Sequence, residues 1–259
     1  MIEISDMHSD VRVVQIIGVK LPEIRFGDDI GCLIVDACRK QSVKLEDGDI
    51  VVVTHKIVSK AEGYLYRLSD IHPSIFAERI SLELGKDPRH VELILRQARR
   101  IVKMRGPHII TETIHGFVCA NSAVDLSNVS GGDTAVTLPE NPDSSAMRIG
   151  LRIRELTGVD VAVIISDTFG RAWRRGLTDV AVGVWNMKPL LDYRGLRDPY
   201  GYELRATVVA VADEVASAAE LVMGKTEGIP VAIVKGVRYE KGEGSFRDLV
   251  RPLEEDLFR

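Results

Sequence analysis

Apolar residues recur along the chain at two spacings. Ile30, Leu33, Ile34 and Ala37 fall at i, i+3, i+4 and i+7 and predict a helix over 28–40. The same spacing in Val91, Ile94, Leu95, Ala98, Ile101 and Val102 predicts a helix over 88–104, opened by Pro88, whose missing N–H costs nothing in a first turn. Another helix is expected over 73–84. Apolar runs bounded by turn residues predict strands at 50–53, 116–120, 159–165, 180–184 and 230–235, with an earlier strand at 11–17. Asn141 as N-cap and Gly158 as stop bracket a helix that starts at Pro142. Residues 203–223, dominated by Ala and Val and stopped by Gly224, predict a helix packed closely on a sheet or on another subunit. Residues 127–143, 167–176 and 188–202 keep neither period and read as irregular excursions.

Alternating strands and helices predict an α/β fold (mixed α+β), with mixed sheets flanked by helices. The loosening after the strand at 116–120 suggests two parts, 1–130 and 131–259, or one intertwined unit. The late loops and the Ala-rich helix suggest an unusual, dimer-dependent architecture. Composition narrows the class. The 259 residues are 45% hydrophobic and 28% charged, with 34 basic against 38 acidic side chains for a net charge of −4. That balance excludes a disordered chain and argues against a nucleic-acid binder. No apolar run approaches the ~20 residues a bilayer span needs, and the acidic, polar start is unlike a signal peptide. The expectation is a cytoplasmic protein with no membrane partner. Cys32, Cys38 and Cys119 are too few for a disulfide framework and read as small buried hydrophobes.

Three segments could carry chemistry. In 164–176 a hydrophobic strand delivers Asp167 and Thr168, hard oxygen ligands suited to Mg²⁺ or Mn²⁺, followed by Arg171, Arg174 and Arg175, whose forks match phosphate or carboxylate. A strand-end aspartate capping a turn, with solvated arginines, is the plainer reading. In 120–128 Asp125 and Asn128 follow another strand; one aspartate holds a divalent ion poorly, whereas two from different strand ends hold it well. An Asx-turn at Asp125 explains the same residues without a ligand. In 53–63 Lys56 and Lys60 share a helix face or converge from a loop on phosphates, and His55 could serve as acid, base or ligand. This is no Walker A loop, which needs glycines before its lysine. Arg96, Arg99, Arg100 and Lys103 read as the solvated back of the helix at 88–104.

Taken in order, the segments resemble the coenzyme F420:L-glutamate ligase family, which adds glutamate to a deazaflavin precursor. The resemblance is carried by Leu21-Pro22-Glu23-Ile24 with Gly27-Asp28-Asp29, by 56–63, by 115–128 and by Ser166-Asp167-Thr168-Phe169-Gly170. Asp192-Tyr193-Arg194-Gly195, the helix ending at Met223-Gly224, and 230–236 complete it. It implies GTP as co-substrate, an acyl phosphate on the precursor's terminal carboxylate, and displacement of phosphate by the glutamate amine, with further glutamate joined through a gamma linkage. It implies Asp125, Asp167, Thr168 and Glu227 as ligands of Mg²⁺ or Mn²⁺, two ions in all, with K⁺ as a helper. The nucleotide-contacting set it implies is Leu21, Pro22, Glu23, Ile24, His55, Lys56, Lys60, Asn128, Gly224, Lys225, Thr226 and Gly228. His55 stands where the family pattern has a small or amide residue. Arg171, Arg174 and Arg175 are left for the anionic substrates, and a homodimer is expected. From the residues alone, a metal-dependent phosphohydrolase acting on a nucleotide or phosphate ester, or a regulatory nucleotide-binding protein, remains open.

Overall fold

The computed structural model describes residues 12–127 and 132–258. Val11 of the predicted first strand and Asn128 lie outside them. In chain order the first elements are β1 (Gln15–Val19), α1 (Ile30–Lys40), β2 (Ile50–Thr54), α2 (His55–Glu62), β3 (Leu65–Arg67), α3 (Ile75–Leu84) and α4 (Pro88–Arg96). β4 (Ala98–Arg105), β5 (His108–Thr113), β6 (Val118–Ala120), β7 (Thr134–Val136) and α5 (Pro142–Thr157) follow. The last are β8 (Ala162–Arg171), β9 (Arg174–Trp185), β10 (Leu191–Asp192), β11 (Val208–Val209), α6 (Val211–Met223) and β12 (Val231–Lys235).

A five-stranded mixed sheet, ordered β1-β12-β2-β8-β9, forms the centre. Only β2 and β8 pair in parallel; the other three pairings are antiparallel. Strand alternation sends Val51, Val53, Val163, Ile165, Val231 and Ile233 to one face, under α1, α2 and α5. Ile50, Val52, Ala162, Ile164, Ala232 and Val234 face the other way, under α6. All twelve are buried, and each fully buried Val or Ile contributes about 1.5–3 kcal/mol of transfer free energy. The sheet draws β1 and β2 from before residue 130 and β8, β9 and β12 from after it. A second layer holds the β4-β5-β6 sheet, the β3-β7 ribbon, α3 and α4, around a smaller core that includes Ile80, Leu84, Leu93, Ile94 and Ile109.

Glycine sets the approach of α5 to the sheet. A Cβ on Gly150 would lie 2.1 Å from the Trp185 ring. A larger residue in the middle of this helix would therefore push it off β9.

The fold class is mixed α/β, as the periodicity implies, and α1, α5, β2 and β12 fall where expected. Four elements differ. The helix expected to run to Met104 stops at Arg96, and 98–105 is β4, paired with β5 across the turn at Gly106. The basic stripe therefore lies partly on a β-ribbon. Residues 167–176 are mostly strand, because β8 and β9 run past the sheet as a hairpin. β7 forms inside the expected excursion at 127–143. The last helix begins at Val211 rather than Glu203, since Val208 and Val209 pair with Asp192 and Leu191.

Candidate active site

The strand directions bring four separate segments to one edge. β1 and β2 are both antiparallel to β12, so they run together, and β8 runs with β2. The exits of β1, β2 and β8 and the entry to β12 consequently share that edge. Carboxyl ends of parallel strands are where α/β sites open. Here they enclose a cleft of about 450 Å³, lined by 21–24, Thr54, Lys56, Lys60, Asp167, Thr168, Asp179 and parts of 223–230.

β2 passes into α2 with no loop between them. Thr54 is the N-cap and makes no side-chain capping bond, so the first-turn N–H groups have no side-chain acceptor there. The helix dipole adds partial positive charge at the same point. Lys56 and Lys60, one turn apart, present their ammonium groups to the cleft. Lys60 Nζ donates to Glu23 Oε1 at 3.0 Å, tying α2 to the 21–24 loop. Lys56 Nζ pairs with Asp125 Oδ2 at 2.5 Å and donates to Ser127 Oγ at 3.1 Å.

Asp125 arrives from the second layer through an unusual turn. Asn121, Ser122 and Ala123 all have φ near +55° (54°, 54° and 56°), a left-handed run that costs non-glycine residues about 1–3 kcal/mol each. Buried bonds hold it: Ser122 Oγ donates to the Ile94 carbonyl at 2.9 Å and lies 2.7 Å from Thr111 Oγ1. Beyond it Asp125 Oδ1 accepts from the Ser127 N–H at 2.8 Å, so the Asx-turn and the lysine contact coexist on one carboxylate. Burial raises the Asp125 carboxyl, but the Lys56 ammonium and the Ser127 N–H outweigh it and hold the group below its ordinary value.

Asp167 and Thr168 are consecutive on an extended strand, so their side chains leave on opposite faces. Asp167 lies 3.2 Å from Nε2 of the buried His55, without hydrogen-bond alignment. Thr168 faces its cross-strand partner Asp179 and donates to Oδ1 at 2.6 Å, while Ser166 donates to Oδ2 at 3.1 Å. Lys225 completes that face: its Nζ lies 2.7 Å from Thr168 Oγ1, 3.0 Å from Asp179 Oδ1 and 2.9 Å from Glu220 Oε1. A bulge helps place it. The register shifts between Ile165 and Ser166, and the Ala181 N–H donates to Asp213 Oδ1 at 2.9 Å.

The donor set fits a hard divalent cation in kind. Asp167, Thr168 and Asp179 are oxygen donors lining one cleft, and the Lys225 ammonium stands among them as a resident positive charge. Among the described residues no three Asp, Glu, His or Cys side chains already converge as a finished metal cage. Glu227 lies on the same turn as Lys225 but folds back, accepting from Thr226 N–H and Oγ1, both at 3.0 Å.

The cleft thus gathers Leu21, Pro22, Glu23, Ile24, Lys56, Lys60, Asp167, Thr168, Gly224, Lys225, Thr226 and Gly228. Asp125 reaches it through Lys56. His55 is buried beneath it. Arg171, Arg174 and Arg175 lie exposed at the hairpin tip, outside the lining, with Arg171 donating to the Arg175 and Gly176 carbonyls. Asp179 is the group that sequence reasoning missed. Recognising 164–185 as a hairpin would have set it opposite Thr168.

A cleft at the carboxyl ends of parallel strands, lined among the described residues by three lysines, three carboxylates and threonine hydroxyls, marks an α/β protein with a charged ligand site at the edge of its central sheet. The family model described as F420-0:Gamma-glutamyl ligase matches residues 18–236, and the chain belongs to that family. It is similar to the coenzyme F420:L-glutamate ligase of Methanocaldococcus jannaschii, 46% identical over 98% of this chain and 100% of that one. The ligase of the same name from Methanothermobacter thermautotrophicus is 46% identical over 95% of this chain and 99% of its own, and that from Methanopyrus kandleri 47% over 92% and 94%.

Proposed function

We propose that this protein is a GTP-dependent ligase that joins L-glutamate to the deazaflavin precursor F420-0 and adds further glutamate through a gamma linkage. The observation that carries the reading is the convergence, in a chain of this family, of the 21–24 loop, Lys56, Lys60, Asp167, Thr168 and the 224–228 turn on one cleft. A carboxylate resists attack by an amine until one of its oxygens becomes a good leaving group. The precursor's carboxylate oxygen attacks the γ-phosphorus of GTP and GDP leaves. The glutamate nitrogen then attacks the acyl carbon, phosphate departs with the bonding pair, and the amine proton passes to solvent.

The residues suit that sequence. Lys56, Lys60 and the first-turn N–H groups of α2 would oppose phosphate charge, and the 21–24 loop and 224–228 turn, which line the same cleft, would contact the nucleotide. Mg²⁺ or Mn²⁺ supplies neutralisation of the transferring phosphoryl group. Asp125, Asp167, Thr168 and Glu227, with Asp179 beside Thr168, are the groups that would hold two ions. K⁺, a homodimer and a cytoplasmic setting belong to the same reading.

The test is incubation of the protein with GTP, Mn²⁺, L-glutamate and F420-0, with the product weighed by mass spectrometry. One or more added glutamyl masses, with matching GDP release, are expected. Asp167→Ala and Asp125→Ala should each abolish ligation while the far-ultraviolet dichroism stays native. GTP consumption without glutamate incorporation would replace the ligase by a phosphohydrolase.

A further inference from the structure

Asp179 is almost fully buried, 3% exposed, and among the described residues its one ion pair is with Lys225. A buried carboxylate needs a positive partner, because removing it from water costs several kcal/mol if it stays unpaired. Lys225 provides that charge from an exposed turn: its side chain is 48% exposed, yet the ammonium reaches between Thr168 and Asp179. It occupies the position from which a bound cation would contact the same two oxygens. An ammonium and a divalent ion cannot share it, since like charges a few ångströms apart repel strongly in a partly dry cleft.

We propose that Lys225 is a built-in counter-ion for the Thr168–Asp179 oxygens, and that a divalent cation displaces it and remodels the 224–228 turn. The inference rests on the reading above that Thr168 holds such an ion. Three further features support the exchange. Glu220, already 2.9 Å from Lys225, remains as its partner once the ammonium leaves the other oxygens. Gly224 (φ 57°) and Gly228 (φ 66°) flank the turn in left-handed conformations. A Cβ at Gly224 would collide with the Glu227 carboxylate, so glycine is what admits the present arrangement of the turn, with Glu227 folded back and Lys225 inward. Reversing it removes a positive charge from the ion's position and frees a carboxylate to approach.

The measurement is Mn²⁺ titration of the full chain without nucleotide, reading free Mn²⁺ by electron paramagnetic resonance, alongside hydrogen exchange of the 224–228 amides. Lys225→Gln should bind Mn²⁺ roughly tenfold more tightly than wild type at unchanged stoichiometry, and saturating Mn²⁺ should change 224–228 exchange in wild type. Thr168→Val should remove one equivalent of Mn²⁺. If Thr168→Val removes that equivalent but Lys225→Gln leaves the affinity within twofold, or weakens it, the counter-ion proposal fails alone. If Mn²⁺ binding is indifferent to Thr168→Val, the metal assignment of Thr168 fails and takes the proposal with it.

Discussion

Replacing Asp179 by alanine removes the acceptor that ties β8, β9 and the 224–228 turn together. Two hydroxyls lose a charged acceptor: Ser166, fully buried at 3.1 Å, and Thr168, partly exposed at 2.6 Å. Hydrogen bonds to charged groups contribute about 1.5–3 kcal/mol each. Thr168 recovers part of its loss from water, and the half-exposed Lys225 pair is screened to at most about 1 kcal/mol. The net cost is about 3 kcal/mol, a fall of roughly 6–12 °C in Tm for a chain of this size. Asp179→Asn keeps one acceptor oxygen and should fall between the two, at about 1–2 kcal/mol. Thermal unfolding by circular dichroism, without metal or nucleotide, measures both. A Tm for Asp179→Ala within 2 °C of wild type, or above it, would mean that Ser166 and Thr168 find other partners and that Asp179 does not anchor the hairpin.

Gly150→Ala should cost about 1–3 kcal/mol, more if α5 cannot shift, because its methyl meets the Trp185 ring; Tm and the near-ultraviolet Trp signal report it, and an unchanged spectrum counts against the contact. Burial holds His115 below its ordinary value, so the folded state resists the proton. Its contribution is therefore complete above the unfolded value near pH 6.5 and is lost as pH falls from there through the folded value. His115→Gln should flatten the fall of Tm between about pH 6.5 and pH 5, and a slope as steep as wild type would assign that fall to other groups. Lys60→Ala should raise KM for GTP roughly tenfold with kcat changed far less, as steady-state kinetics will show; an unchanged KM removes Lys60 from the nucleotide set.

Much of the central sheet was legible because its strands are buried on both faces and read as unbroken apolar runs, as at Ile50–Thr54 and Val231–Lys235. β4 was not. Its two register shifts, between Ala98 and Arg100 and between Ile101 and Lys103, break the two-residue alternation, and the resulting spacing of Ala98, Ile101 and Val102 imitates a helix. The β8–β9 hairpin was hidden for another reason. Phe169 still packs against the core, but from Gly170 to Leu177 the hairpin is exposed, so cross-strand pairing holds it there rather than any apolar pattern. The cleft residues were legible as types at strand ends. Their convergence was not, because the entry to β12 reaches the edge only through a pairing between strands at opposite ends of the chain. The left-handed run at 121–123 has no sequence signature beyond Asn121, since Ser and Ala rarely adopt it.

The direct passage from β2 into α2 restricts where this site can vary. With no linker between Thr54 and His55, the rotational phase of the helix is inherited from the sheet's hydrogen-bond register. One inserted residue there would turn α2 by about 100° and swing Lys56 and Lys60 away together. Length changes are better absorbed by the 21–24 loop and the 224–230 turn, which follow β1 and precede β12. Those two segments can therefore change in length while the lysine pair stays fixed to the core.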